Sequence, residues 1–345
     1  MPDAAKPEQR ITCQARFQRT WGHLTRPHVR ALAWLLDSPD LLDAASPYWQ
    51  NQIAALGPVT PAVANWLADL DADPSPIEQA LGNRFYSRLG LYAEKLMAFY
   101  FARQGTLAAH GLQVRTPRNE TIGEFDFLLS EPGAQLRHIE FATKFYLLDG
   151  QPDPGRFNHL VGPNLADTLG LKMRKIFSHQ LQLSRHPSAQ AVLPQPVTLA
   201  QALVKGWLFY EEGREWHIDG VAADHCRGYW RTLGALAAAT ADNVQYVVMP
   251  RLQWLAPLKI GAVRPASGEA AQGQLPPTPA PLSRAALLQT LAEKFAADLS
   301  PVMVATVAAV EEEGSWLVET ERGFVVPDDW RERARTRRAS GSLPL

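Results

Sequence analysis

Glu124, Asp126, Glu140 and Lys144 stand within one short stretch, GEFDFLLSEPGAQLRHIEFATKF, residues 123–145. The residues around them are those of two β-strands. A strand with a buried face carries charge only where that charge is paired, binds metal or performs chemistry. Alternate residues of a strand share a face. Glu124, Asp126 and Leu128 are therefore expected on one side of the first strand, with Phe125, Phe127 and Leu129 on the other. On the second, His138, Glu140, Ala142 and Lys144 share a face against Ile139, Phe141 and Phe145. A turn at Pro132 and Gly133 pairs the strands and brings Asp126 near Glu140. Two neighbouring carboxylates repel, and a divalent cation resolves the repulsion; one or two carboxylates with water completing the shell suit Mg²⁺. Such an ion polarises a phosphodiester and activates its attacking water, and a lysine beside it holds that water or steadies developing negative charge.

The elements that must position these groups follow from periodicity. Apolar residues at Val29, Leu32, Ala33 and Leu36 predict a helix within 22–45 that begins after Pro27 and ends by Pro39. A second, at 61–70, opens on Pro61, and DADPSP at 71–76 reads as a turn. Residues 87–104, SRLGLYAEKLMAFYFARQ, predict a helix with Leu89, Tyr92, Leu96, Phe99 and Tyr100 on one face and Glu94 near its middle. A strand at 112–116 and the hairpin strands 122–130 and 136–147 come next, then a loop at 149–166. A helix is expected at 166–185, capped by Asp167 and basic through Lys172, Arg174, Lys175, His179 and Arg185. Strands are expected at 204–211 and 244–249, with a helix-like segment, AADHCRGYWRTLGALAAA, between them. A Pro- and Ala-rich linker at 265–282, a helix at 283–297, a hairpin, and a disordered basic tail at 331–345 complete the chain.

The order of helix with Glu94, hairpin with Asp126, strand with Glu140 and Lys144, then helix, resembles the core of the PD-(D/E)XK nuclease superfamily over roughly residues 85–185. The resemblance implies an α/β fold, a nuclease-like core of a mixed sheet flanked by helices, with N-terminal helical (1–80) and C-terminal helix-and-hairpin (283–330) additions. It implies catalytic roles for Glu94, Asp126, Glu140 and Lys144, with Asp126 and Glu140 as ligands of Mg²⁺ or Mn²⁺. The superfamily places its lysine two residues after the second acid, where this chain has Ala142. Lys144 stands four residues on, which keeps the face but lengthens the Cα separation from about 7 Å to about 13 Å. Lys172 or Lys175 on the following helix is the alternative source of that cation, and His138 is a third group on the same face. Lys172, Lys175 and Gln180 would lie along a phosphate backbone and add salt-sensitive, sequence-independent affinity. The segments GPNLADTLGLKMRKIFSHQLQLS, DHCRGYW, MPRLQWLAP and RGFVVPDDW also resemble a bacterial family known only as a domain of unknown function, a likeness that implies no activity.

Composition narrows the partners. The 345 residues are 46% hydrophobic and 20% charged, with a formal net charge of -1, so any nucleic-acid contact must use a local basic patch. Cys13 and Cys226 belong to no thiolate-ligand spacing and are expected as separate thiols, consistent with a cytoplasmic protein. No signal peptide and no membrane span are expected. His225 beside Cys226 is not expected to form a nucleophile–base pair, and most tryptophans are expected in the core. The function expected is a metal-dependent phosphodiesterase, an endonuclease acting on nucleic acid and on DNA by preference. The alternatives are a nuclease fold that only binds nucleic acid or a protein partner, and a structural protein whose strand charges form an ion-pair network.

Overall fold

A computed structural model describes residues 11–83, 86–152, 155–214, 216–239, 244–261, 275–310 and 316–339. Residues 265–274 of the expected linker and 340–345 of the expected tail lie outside these. Five helices come first: α1 (Cys13–Trp21), α2 (Pro27–Asp37), α3 (Pro61–Ala72), α4 (Ser75–Leu81) and α5 (Leu89–Arg103). The hairpin follows as β1 (Leu107–Arg115), β2 (Thr121–Glu131) and β3 (Gln135–Leu148), then short β4 (Leu160–Val161), α6 (Leu169–Lys175) and α7 (Pro187–Gln190). The remainder is β5 (Val197–Glu211), β6 (Cys226–Thr232), α8 (Leu233–Ala238), β7 (Gln245–Val248), β8 (Lys259–Gly261), α9 (Arg284–Ala297), β9 (Val302–Val310), β10 (Trp316–Val326) and α10 (Trp330–Ala339).

All ten strands join one mixed sheet of order β1-β2-β3-β5-β6-β10-β9-β7, with β4 on β3 and β8 on β10. The pairs β3–β5, β5–β6 and β6–β10 are parallel and the rest antiparallel. Helices cover both faces, which explains why β5 is buried on both sides from Ala202 to Tyr210 and reads as a continuous apolar run. One face packs on α1–α5 through Trp34, Tyr92, Leu96, Phe127 and Phe141. The other packs on α6 through Tyr146, Met173, Ile176 and Leu208. The C-terminal hairpin is not an appendage, since β10 lies in the sheet between β6 and β9.

Four expectations are corrected. The segment read as helix-like contains strand β6, because Cys226 to Trp230 fill the slot between β5 and β10; only Leu233–Ala238 is helical. The tail read as disordered forms α10, anchored by fully buried Trp330 and by Arg331 and Arg338, which both pair with Asp149. The cap of α6 is Thr168, whose hydroxyl accepts from the Leu171 N–H, not Asp167. Cys13 and Cys226 are joined in a disulfide, because α1 packs beside the start of β6 and brings their Cα atoms to 5.4 Å, within bridging range. Among the described residues no helix is long and apolar enough to cross a membrane.

Candidate active site

The strand alternation breaks where the chemistry was expected. Phe127 and Leu129 pack toward α5, while Leu128 packs with Leu136 and Leu183 on the opposite face. Phe125 belongs with Leu128, not with Phe127, so the expected common face of Phe125 and Phe127 is corrected. The same change of side occurs across β1, between His110 opposite Phe127 and Leu112 opposite Phe125. The residue between them, Gly111, has φ +64°, a left-handed conformation that suits glycine. Asp126 therefore sits at a coordinated kink of two paired strands.

The β2–β3 ladder runs from Glu131↔Gln135 to Phe127↔Ile139, and the next residues in register are Asp126 and Glu140. There a side chain takes over one of the backbone's bonds: the Phe141 N–H donates to Asp126 Oδ2 at 2.9 Å. Glu140 is 1% exposed and is held from two directions. His138 Nε2 lies 2.8 Å from Glu140 Oε1, and the Gln180 amide donates to Oε2.

Both acids are raised to about 7, by burial first; Glu140 adds to the rise at Asp126 and Glu94 at both, while Asp126 itself lowers Glu140. Lys172 opposes the rise in both cases. Burial lowers His138 to about 4, so its imidazole is neutral and donates Nε2–H to Glu140, leaving Nδ1 buried without a partner. Burial, and then the charge of Lys144, lower Lys172, while Asp126 and Glu140 raise it.

Each residue singled out from the sequence can now be placed. Asp126, Glu140, Glu94, Lys172 and Gln180 form one electrostatic group; Lys172 donates to Gln180 Oε1 at 3.3 Å, and Glu94 accepts from His110 Nε2 at 2.7 Å. Lys144 acts on Lys172 by charge but pairs outside the group: its ammonium lies 3.7 Å from Asp167, which also accepts from the Tyr146 hydroxyl, beside a different cavity shared with Arg88 and Arg251. Gln180 reaches Glu140 because α6 passes into a π turn over Ile176–Gln180, which widens the helix by one residue per hydrogen-bonded ring. A cavity of about 580 Å³ lies between this turn and β2, lined by Glu124, Asp126, Lys175, His179 and Gln180. Glu124, which is exposed, is one of its walls, and His179 is another. His138 was named only as a stand-in for the lysine; its contact with Glu140 was available from their spacing of two on one strand face.

Two features set apart earlier have structural roles. His225 Nε2 contacts the Tyr210 hydroxyl at 2.8 Å, and Cys226 is in the disulfide. Among the described residues, no group of three or more His, Cys, Asp or Glu side chains is arranged to hold a metal ion, so Asp126 and Glu140 stand as a pair of carboxylates. A sequence-family profile described as "Domain of unknown function (DUF1853)" matches residues 30–326. No curated protein and no solved structure matches the chain.

Proposed function

From the premise that the chain belongs to this family of unknown function, the domain of unknown function DUF1853, we propose that it is a metal-dependent phosphodiesterase that cleaves nucleic acid, with DNA as the preferred substrate. The observation that carries this reading is the pair of half-buried Asp126 and buried Glu140, brought together where two strands part, beside a cavity walled by a basic helix. The PD-(D/E)XK resemblance of the same residues supports it.

The donor set fits Mg²⁺ or Mn²⁺. Both ligands are oxygen, and both carboxyls are driven toward protonation by burial, with Glu140 adding to this at Asp126 and Glu94 at both, which is the state a divalent cation relieves. Asp126 and Glu140 would hold the ion. When bound, it would polarise the phosphodiester and acidify the attacking water. The remaining work belongs to the chain. Gln180 and neutral His138 fix the Glu140 carboxylate from two sides. Lys172, whose ammonium bears on both acids, takes the lysine's part in orienting water and steadying negative charge. This reading prefers Lys172 to Lys144, because Lys144 is engaged by Asp167. Glu94 adds negative charge that deepens the cation's well. Lys175 and His179 on the cavity wall meet the phosphate backbone.

The test is Mn²⁺-dependent cleavage of single- and double-stranded DNA, with Asp126→Ala purified in parallel. Cleavage lost in the variant supports the assignment, and equal cleavage by both proteins overturns it. One observation favours a second reading, nucleic-acid binding without cleavage: Glu140 is 1% exposed beneath Gln180. That reading expects salt-sensitive DNA binding and no cleavage by either protein.

A further inference from the structure

The helix that presents Gln180 to the carboxylates has a second cavity on its other side, of about 290 Å³. Its lining is aromatic. Trp49 and Phe157 stack at 4.9 Å between centroids and 27° between planes, and Phe177 lies 5.7 Å from Trp49. Tyr48 stands edge-on to Phe157 at 6.0 Å and 89°. Trp49 and Phe157 are buried and make a floor; Tyr48 is 42% exposed and Phe177 half-buried, so these two form the walls.

Three features distinguish this cluster from ordinary core. A large aromatic residue, Tyr48, is left open to solvent beside an empty volume. Phe157 is held at φ +59°, a left-handed backbone that a bulky side chain adopts at a cost, and such strain collects at ligand sites. Asn158, next in sequence and also lining the cavity, is 7% exposed with its Oδ1 lacking a hydrogen-bond partner. A buried amide with unused capacity is unfavourable until something supplies a complementary donor or acceptor. Flat apolar walls, one amide edge and an exposed arginine, Arg156, at the rim match a nucleobase with its phosphate. Only an unpaired base offers its face in this way, because a duplex keeps its base faces stacked.

We propose that this cavity binds one unpaired base of a single-stranded nucleic acid, with Tyr48 and Phe177 stacking on it and Asn158 bonding its edge. The location gives it meaning only together with the phosphodiesterase reading, on which this inference rests. Phe177 and Gln180 belong to the same π turn but serve opposite cavities. The helix between them is about 10–12 Å across, which roughly three nucleotides span at ~3.4 Å each. A strand seated here would place a phosphate a few nucleotides away at Asp126 and Glu140.

The experiment measures binding of a fluorescein-labelled twelve-nucleotide oligo(dT) by anisotropy, in EDTA, to the full chain and to its Tyr48→Ala and Arg156→Ala variants. Both changed residues are exposed, so the fold is retained. Tyr48→Ala is expected to raise the Kd for oligo(dT) by about 5- to 150-fold, the range for losing one base stack, while leaving a duplex of equal length within twofold. An abasic strand of the same length should bind wild type as weakly as oligo(dT) binds the variant. Oligo(dT) bound equally by wild type and Tyr48→Ala, equal binding of the abasic strand, or no binding of oligo(dT) overturns the proposal. Mn²⁺-dependent cleavage separates the two readings. A base pocket that depends on Tyr48 in a protein that cuts nothing would remove the phosphodiesterase and keep the pocket. Cleavage and binding both indifferent to Tyr48 would do the reverse.

Discussion

At the scale of single residues, the site is defined by a conflict between charge and burial. The folded-state pKa values of Asp126 and Glu140 lie above those of an unfolded chain, so the folded protein binds more protons than the unfolded one between about pH 4 and 7. Without metal, stability conferred by the neutral pair is present below pH 4 and is lost as pH rises through 7. Asp126→Asn is therefore expected to raise the metal-free Tm at pH 8, by the equivalent of about 1–2 kcal/mol, and to leave it nearly unchanged at pH 4. In wild type, Mn²⁺ should raise Tm more at pH 8 than at pH 5, because protons compete for the same oxygens; thermal melts at the two pH values decide both points. A Tm shift by Mn²⁺ that ignores pH would dissociate metal binding from these acids. The lysines give a second prediction. Lys172→Ala should lower the cleavage rate by about 10²–10³-fold, while Lys144→Ala should remain within about threefold, read as initial rates on one labelled substrate. The nearness of Asp126 and Glu140 was legible from residue type and hairpin register, which depend only on local geometry, whereas Glu94, on a helix, was reached through the resemblance alone. The preference for Lys172 was not, since Lys144 shares the face of Glu140 and only the position of Asp167, brought back by the loop before α6, shows where it turns.

At the scale of elements, the kink at Gly111 and Asp126 does what a regular hairpin could not. It ends the ladder with the Asp126 carboxylate accepting the Phe141 N–H, and so turns a hydrogen-bonding edge into a paired-acid site. Gly111→Val is expected to destabilise by roughly 1–2 kcal/mol, because φ is +64°. It should also reduce Mn²⁺-dependent cleavage beyond what that instability explains. Gly105→Ala, also at positive φ (69°) but in the turn between α5 and β1, is the matched control. It should shift the urea midpoint comparably and leave cleavage intact; equal loss of cleavage in both would show that the kink has no special role. Sequence periodicity placed α2, α3, α5, β3, α9 and the closing hairpin, because each has a regular apolar pattern, and it found β2 but not the break in its alternation. It missed β6, whose CRGYW has little alternation: a strand buried between two parallel neighbours needs none. It also missed the kink, since a glycine in a strand marks irregularity without telling its direction.

At the scale of the whole molecule, helix α10 is tied to the middle of the sheet. Asp149, 1% exposed at the end of β3, is neutralised by Arg331 and Arg338 of α10. Replacing both arginines by alanine leaves a buried carboxylate unpaired and should cost about 3–5 kcal/mol. Adding Asp149→Asn to that variant should recover much of the loss, and additive effects in urea denaturation would remove the pairing from the account. This clamp was not legible in the sequence, where RERARTRRAS reads as a solvated basic run, because its partner lies far back in the chain.

The placement of β10 between β6 and β9 has a consequence for synthesis on the ribosome. The strands that carry the paired acids, together with β5 and β6, emerge first and can pair as they appear. The outer edge of β6 must then wait roughly 90 residues for its parallel neighbour, a delay of seconds at ordinary elongation rates. During that interval the nascent chain offers an unpaired strand edge flanked by Tyr229 and Trp230, of the kind that recruits other chains. A chain released before β10 would thus contain every residue of the candidate catalytic site and still be prone to aggregate, so β10, far from that site, is the strand that protects it from other chains.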